Sequence, residues 1–256
     1  MKGNIKAQSL VELEAGYLLK GDSKMNTNRK TATVVGALFI VGTVAGILSV
    51  VVTGTILSGS DFLTKVYVNQ NQMVIGTLLV LIMGLSLAMV PVMMFPIFKK
   101  YNEALAIGSV VFRGALEAIL YIAIVITWLL LLTVSQEYVK AGASDASYFQ
   151  ALGALLLGSV VQINSVLKIV FSLGALMIYY LYYQSSLIPR WLSVWGLVGT
   201  VVYLVAGLFA IFGMDSSILL LPLGLQEMVL AVWLIVKGFD SSATASEPIK
   251  TVLEAS

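Results

Sequence analysis

TATVVGALFIVGTVAGILSVVVTGTIL, Thr31 to Leu57, runs for 27 residues without one charged side chain. A helix needs about 20 mostly apolar residues to cross roughly 30 Å of hydrocarbon, and within lipid its backbone must be hydrogen-bonded internally. This stretch therefore reads as a membrane-spanning helix. Outward from it, five further runs read the same way: Met73 to Phe98, Ala104 to Thr133, Ala151 to Tyr183, Trp191 to Gly213 and Ser217 to Val236. The expected fold is all-α, a polytopic transmembrane six-helix bundle. Composition agrees, since 59% of the 256 residues are hydrophobic and 11% charged, whereas a soluble domain carries about 25% charged residues.

The third and fourth runs, of 30 and 33 residues, outreach the bilayer at about 1.5 Å per residue. They must tilt, kink or project, with a re-entrant piece as the alternative. Cutting either in two leaves pieces of about 15 residues, too short to cross.

Lys and Arg near span ends set the orientation, because short loops rich in them stay in the cytoplasm. With the amino terminus inside, nine such residues (Lys20, Lys24, Arg29, Lys30, Lys99, Lys100, Arg190, Lys237 and Lys250) fall on the cytoplasmic side, against Lys65 and Lys140 outside. Both termini are thus expected in the cytoplasm. The clustered Tyr179, Tyr180, Tyr182 and Tyr183, followed by Trp191 and Trp195, read as an interfacial aromatic belt. Ser185, Ser186 and Pro189 form the turn between them, with Pro189 suited to the first turn of the next helix.

The chain divides into a cytoplasmic N-terminal segment at 1–30, a transmembrane domain at 31–238 and a cytoplasmic tail at 239–256 expected to be mobile. In the first segment Leu10, Leu13, Tyr17 and Leu18 are spaced for one face of a short amphipathic helix. Glu12 and Glu14 interrupt its apolar residues and argue against a signal peptide. Met25 reads as an alternative start, which would make the residues before it dispensable.

The chain has neither histidine nor cysteine. This removes the usual zinc sites, thiol nucleophiles, haem ligands and Ser-His pairs. No acidic metal-binding pair or phosphate loop is visible, so neither metal nor cofactor is expected. A net charge of +2 is too small to suggest nucleic acid. The expected partners are the lipid bilayer and a small-molecule or lipid ligand.

Ionisable side chains inside spans cost about 2.5–3.5 kcal/mol each at a helix centre, and so mark candidate sites. There are four: Arg113, Glu117, Lys168 and Glu227. Counted from the cytoplasmic ends at 1.5 Å per residue, they lie about 14, 20, 18–22 and 15 Å deep. Two charges of each sign at one depth predict a charge-balanced polar centre enclosed by the third, fourth and sixth helices. Ser109, Arg113 and Glu117 recur every four residues and so line one side of the third helix; Gln162, Ser165, Lys168 and Ser172, three or four residues apart, line one side of the fourth, with Asn164 adjoining them, and Gln226 adjoins Glu227. Pro222 is expected to free a backbone carbonyl near Ile218. The structural alternative is that Arg113 and Glu117 neutralise each other along one helix while Lys168 and Glu227 tie two helices. Gly42 with Gly46, Gly84 with Ala88, and Gly196 with Thr200 read as packing pairs. Met89, Met93 and Met94, beside Pro91 and Pro96, are placed to line a plastic cavity.

MNTNRKTATVVGALFIVGTVAGILS from Met25, SQEYVKAGASDASYFQALG from Ser135, LIPRWLSVWGLVG from Leu187 and LQEMVLAVWLIVKGF from Leu225 resemble the prokaryotic membrane family called domain of unknown function 4386 (DUF4386). The resemblance covers Met25 to Phe239. It implies a multi-pass protein of a prokaryotic cell membrane and carries no catalytic residue. FRGALEAILYI, with Arg113 and Glu117, fits the family pattern, while VVQINSVLKIV, with Lys168, fits it least.

Three functions follow as expectations. The first is a bundle that binds or transports a small polar or amphipathic molecule at the polar centre, with Glu117 or Glu227 carrying the proton of a coupled carrier. The second is a membrane-embedded accessory or regulatory protein whose buried charges only fix helix register. The third is an intramembrane enzyme acting on lipid through Ser165 or a carboxylate with Lys168. It ranks last because the chain lacks the usual groups of such chemistry.

Overall fold

A computed structural model describes residues 2–142, 145–214 and 216–240, with side chains from Thr27 onward. The helices are α1 (Lys2–Thr53), α2 (Phe62–Val68), α3 (Gln70–Phe98), α4 (Glu103–Ser109), α5 (Glu117–Ala141), α6 (Ala146–Ser185), α7 (Arg190–Ile211) and α8 (Leu221–Val236). A π-helical segment, Val110–Leu116, joins α4 to α5, and a 3-10 turn, Ser217–Leu220, leads into α8. Six helical stretches are long and apolar enough to cross a membrane, and no strand occurs among the described residues. The backbone of α1 runs unbroken from Lys2 into the first span. The amphipathic face proposed for Leu10, Leu13, Tyr17 and Leu18, and the tail beyond Asp240, lie outside what is described.

Packing closes a ring. Helix α1 lies between α3 and α8, α5 between α3 and α6, and α7 between α6 and α8. Small residues permit the close approaches. A Cβ on Gly42 would stand 2.8 Å from Leu87, one on Gly46 2.5 Å from Met83 Sδ, and one on Gly84 2.7 Å from Tyr121 Cβ. Gly196 lies against the Tyr179 ring. Of the three methionines, Met89 is 44% exposed while Met94 is buried, so these two face different surroundings.

The third and fourth spans exceed their expected lengths, at 39 and 40 residues, or about 60 Å each. Neither re-enters. At one end they meet the other spans: Phe98 at the end of α3 meets Tyr182 near the end of α6 edge-on at 5.0 Å, and Arg29 reaches the last carbonyls of α8. At the far end α5 and α6 continue past α7 as a hairpin. There Gln136 donates to Gln70 at 3.0 Å, Gln150 donates to Tyr138 at 3.3 Å, and Gly153 packs on Phe62 and Leu63 of α2. Helix α2, too short to announce itself in the sequence, follows Asp61, whose carboxyl is held below its ordinary range by the hydrogen bond from Lys65.

Two expectations need correction. Pro222 does not interrupt a helix: it stands in the first turn of α8, where no amide partner is required. The tyrosine belt is only half interfacial. Tyr180 and Tyr183 are exposed, but Tyr179 and Tyr182 are buried at 1% and 0%, because their three-residue spacing turns both toward the bundle. Trp191 is exposed and stacks on Trp195 with ring centres 6.3 Å apart, as the belt reading anticipates.

Candidate functional site

The π segment positions the first half of the site. Its wider hydrogen-bond ring is a frequent companion of functional positions in helices. It also reduces the angular drift of a four-residue step, so Arg113 and Glu117 face the same way. Arg113 donates from Nη1 to both oxygens of Glu117 at 2.8 Å. Gly174 of α6 lets the segment come close, since a Cβ there would stand 2.6 Å from the Arg113 amide nitrogen. Phe171, on the same side of α6, lies under the guanidinium at 4.0 Å from ring centre to Cζ. A desolvated cation over a ring gains about 2 kcal/mol or more.

Helix α8 brings the second half. Arg113 donates from Nη2 to Glu227 at 2.9 Å. The π segment packs chiefly on α3 and α6, and α8 chiefly on α1 and α7, so this ion pair reaches across the inside of the ring. Beside Glu227, Gln226 accepts from the Tyr179 hydroxyl at 2.7 Å and donates to the Leu192 carbonyl at 3.1 Å. Thus α6, α7 and α8 are joined by one buried amide. Gly174 precedes the end of α6 by 11 residues and Glu227 precedes the end of α8 by 9, placing the cluster about 14–16 Å from those ends, near the midplane of a 30 Å slab.

Exposure separates the three charged groups. Arg113 and Glu117 side chains are each 1% exposed, and Glu227 is 14% exposed. Guanidinium and both carboxylates together carry one excess negative charge when all are ionised.

Lys168 stands apart. Its Cβ abuts Gly207, near the end of α7, whereas the Gly174 side of α6 meets Arg113. Six residues of helix separate the two positions, about 9 Å of rise and 240° of turn. Lys168 instead lines a cleft of about 320 Å³ with Asn164, Ser165, Ala210, Gly213 and Ser216. No tie to Glu227 forms, because Arg113 occupies that carboxylate. Lys168 precedes the end of α6 by 17 residues against 11 for Gly174, about 26 Å against 16 Å, so it lies off the level of the Arg113 centre. The hydroxyl and amide groups expected around the site mostly bond their own helices: Ser109 to Ala106, Asn164 to Val160, Ser165 to Val161 and Ser172 to Lys168 carbonyls, all at 2.7–3.0 Å. Tyr179 and Phe171 were not foreseen. The spacing Ser165, Ser172, Tyr179, seven residues apart and buried throughout, is the signal that marks this inner face.

Six apolar spans closed around an ion-paired centre define a multi-pass helical membrane protein. A family model described as Domain of unknown function (DUF4386) matches residues 34–238, and the chain belongs to that family. No curated protein and no solved structure matches it.

Proposed function

We propose that the protein binds or carries a small polar or amphipathic molecule at the Arg113–Glu117–Glu227 centre, coupled to a proton on Glu227. The observation behind this reading is that one guanidinium serves two carboxylates, and only Glu227 retains exposure. Inside lipid an unbalanced charge is costly, so the centre gains by taking up one proton or one cationic group of a ligand. Exchange of one for the other at Glu227 couples them. The groups around that exchange are Arg113, Glu117, Tyr179, Tyr121 and Tyr203. Arg113, fixed by Glu117 and Phe171, remains as the stationary partner. On this reading the protein sits in a prokaryotic cell membrane with both termini in the cytoplasm, which the distribution of Lys and Arg supports.

A hydrophobic carbodiimide, which reacts with protonated carboxyls in lipid, tests the role of Glu227. Peptide mass spectrometry of the reconstituted full chain should find the adduct on Glu227 and not on the sealed Glu117, with labelling that falls as pH is raised. Labelling of neither residue, or labelling indifferent to pH, would overturn the proton assignment. A second reading, the accessory protein with a purely structural triad, draws on the near-complete sealing of Arg113 and Glu117. It predicts that replacing Arg113, Glu117 and Glu227 together by Met, Leu and Leu preserves the fold and whatever the protein does in its membrane.

A further inference from the structure

Two of the stretches singled out in the sequence, LIPRWLSVWG and the VWLIVKGF end of α8, meet at the cationic end of the bundle. Between them opens a cleft of about 420 Å³ lined by Pro189, Arg190, Trp233, Lys237, Gly238 and Asp240. The Asp240 amide donates to the Leu187 carbonyl at 2.9 Å, strapping the chain after α8 to the α6–α7 turn and closing one wall. We infer that this cleft holds the phosphate-bearing headgroup of an anionic phospholipid.

Charge carries the first part of the argument. The end of a helix is partly negative and would repel an anion, but here Arg29 covers it, donating to the Ile235 and Val236 carbonyls at 2.8 and 3.0 Å. Gly238, with φ +76°, bends the chain so that Arg29 packs directly on it; a Cβ there would stand 2.5 Å from Nη1. With the helix end covered, Arg190 and Lys237 face the cleft without an ion pair among the described residues, Arg190 resting on the Tyr183 ring at 5.7 Å. Asp240 is the acidic side chain of the lining, so the local balance stays positive.

Position carries the second part. The cleft lies where spans end, beside the exposed Trp191 stacked on Trp195, and Trp233 provides an apolar wall. Basic pockets between span ends with interfacial aromatics suit anionic headgroups, each cation contributing about 1 kcal/mol near such lipids. A soluble phosphate ester offers the same oxyanion but no acyl chain, and the adjoining surface of α7 and α8 is apolar.

The test uses the purified full chain in mild detergent, offered equal amounts of phosphatidylglycerol and phosphatidylcholine, with retained lipid counted by native mass spectrometry. Phosphatidylglycerol should be preferred by about tenfold or more, as two cations imply. Arg190→Gln with Lys237→Gln should remove the preference, while Lys168→Gln, in the far-end cleft, should not. Lys237→Gln alone, at an exposed position, should still weaken the preference severalfold if the double variant fails to fold. Equal retention of the two lipids, an unchanged preference in the Lys237 variant, or displacement of the lipid by excess glycerol phosphate would overturn the assignment.

Discussion

Arg113 gives one nitrogen to Glu117 and the other to Glu227, and its flat face to Phe171. Removing such a residue leaves two carboxylates facing each other out of water, whereas removing all three charged groups leaves an apolar gap that can repack. Breaking a buried ion pair costs about 3–5 kcal/mol. Arg113→Ala should therefore lower the stability of the chain by that amount in a reversible detergent-unfolding assay, and the Arg113→Met, Glu117→Leu, Glu227→Leu combination should recover most of it. At this scale three of the four span charges could be assembled from sequence, because four-residue spacing aligns Arg113 with Glu117 and lipid discourages leaving Glu227 alone. Lys168 could not be placed, since depth counted along a chain requires knowing which part of the helix lies in the slab. Tyr179 was hidden by its chemistry, as a tyrosine near a span end suits the interface as well as the interior.

Between residues and bundle stands the contact of the π segment with α6. At Gly174 an added methyl would press on the Arg113 amide nitrogen rather than on a side chain that can swing away. Gly174→Ala should lower the thermal midpoint in detergent, corresponding to about 1–3 kcal/mol of overpacking. Gly158→Ala, on the same helix but facing open space, should leave the midpoint unchanged or raise it, because glycine in a helix interior costs about 0.5–1 kcal/mol relative to alanine. Equal effects of the two would detach the prediction from close packing. The helices themselves were readable from apolar length alone. The π segment was not, because VVFRGAL suits an ordinary helix and its wider winding is visible only where α6 packs against it.

For the molecule as a whole, the ring of six spans and the projecting α5–α6 hairpin place Gln150 and Lys237 at opposite ends. The chain has no cysteine of its own, so single Gln150→Cys and Lys237→Cys variants report cleanly. A membrane-impermeant maleimide should reach them from opposite faces of a sealed vesicle; labelling of both from one face would refute the six-span topology. The π winding has a consequence at this scale as well. Such a winding accommodates one residue more than an ordinary helix of nearly the same turn, so a chain lacking one residue between Gly114 and Leu116 would close there into a regular helix and leave the rest of that rod facing almost as before. The same loss in the regular helix that follows, where each residue turns the chain by about 100°, would swing everything beyond it away from its neighbours. The stretch that carries the base is thus also the one where a change of length turns the rod least.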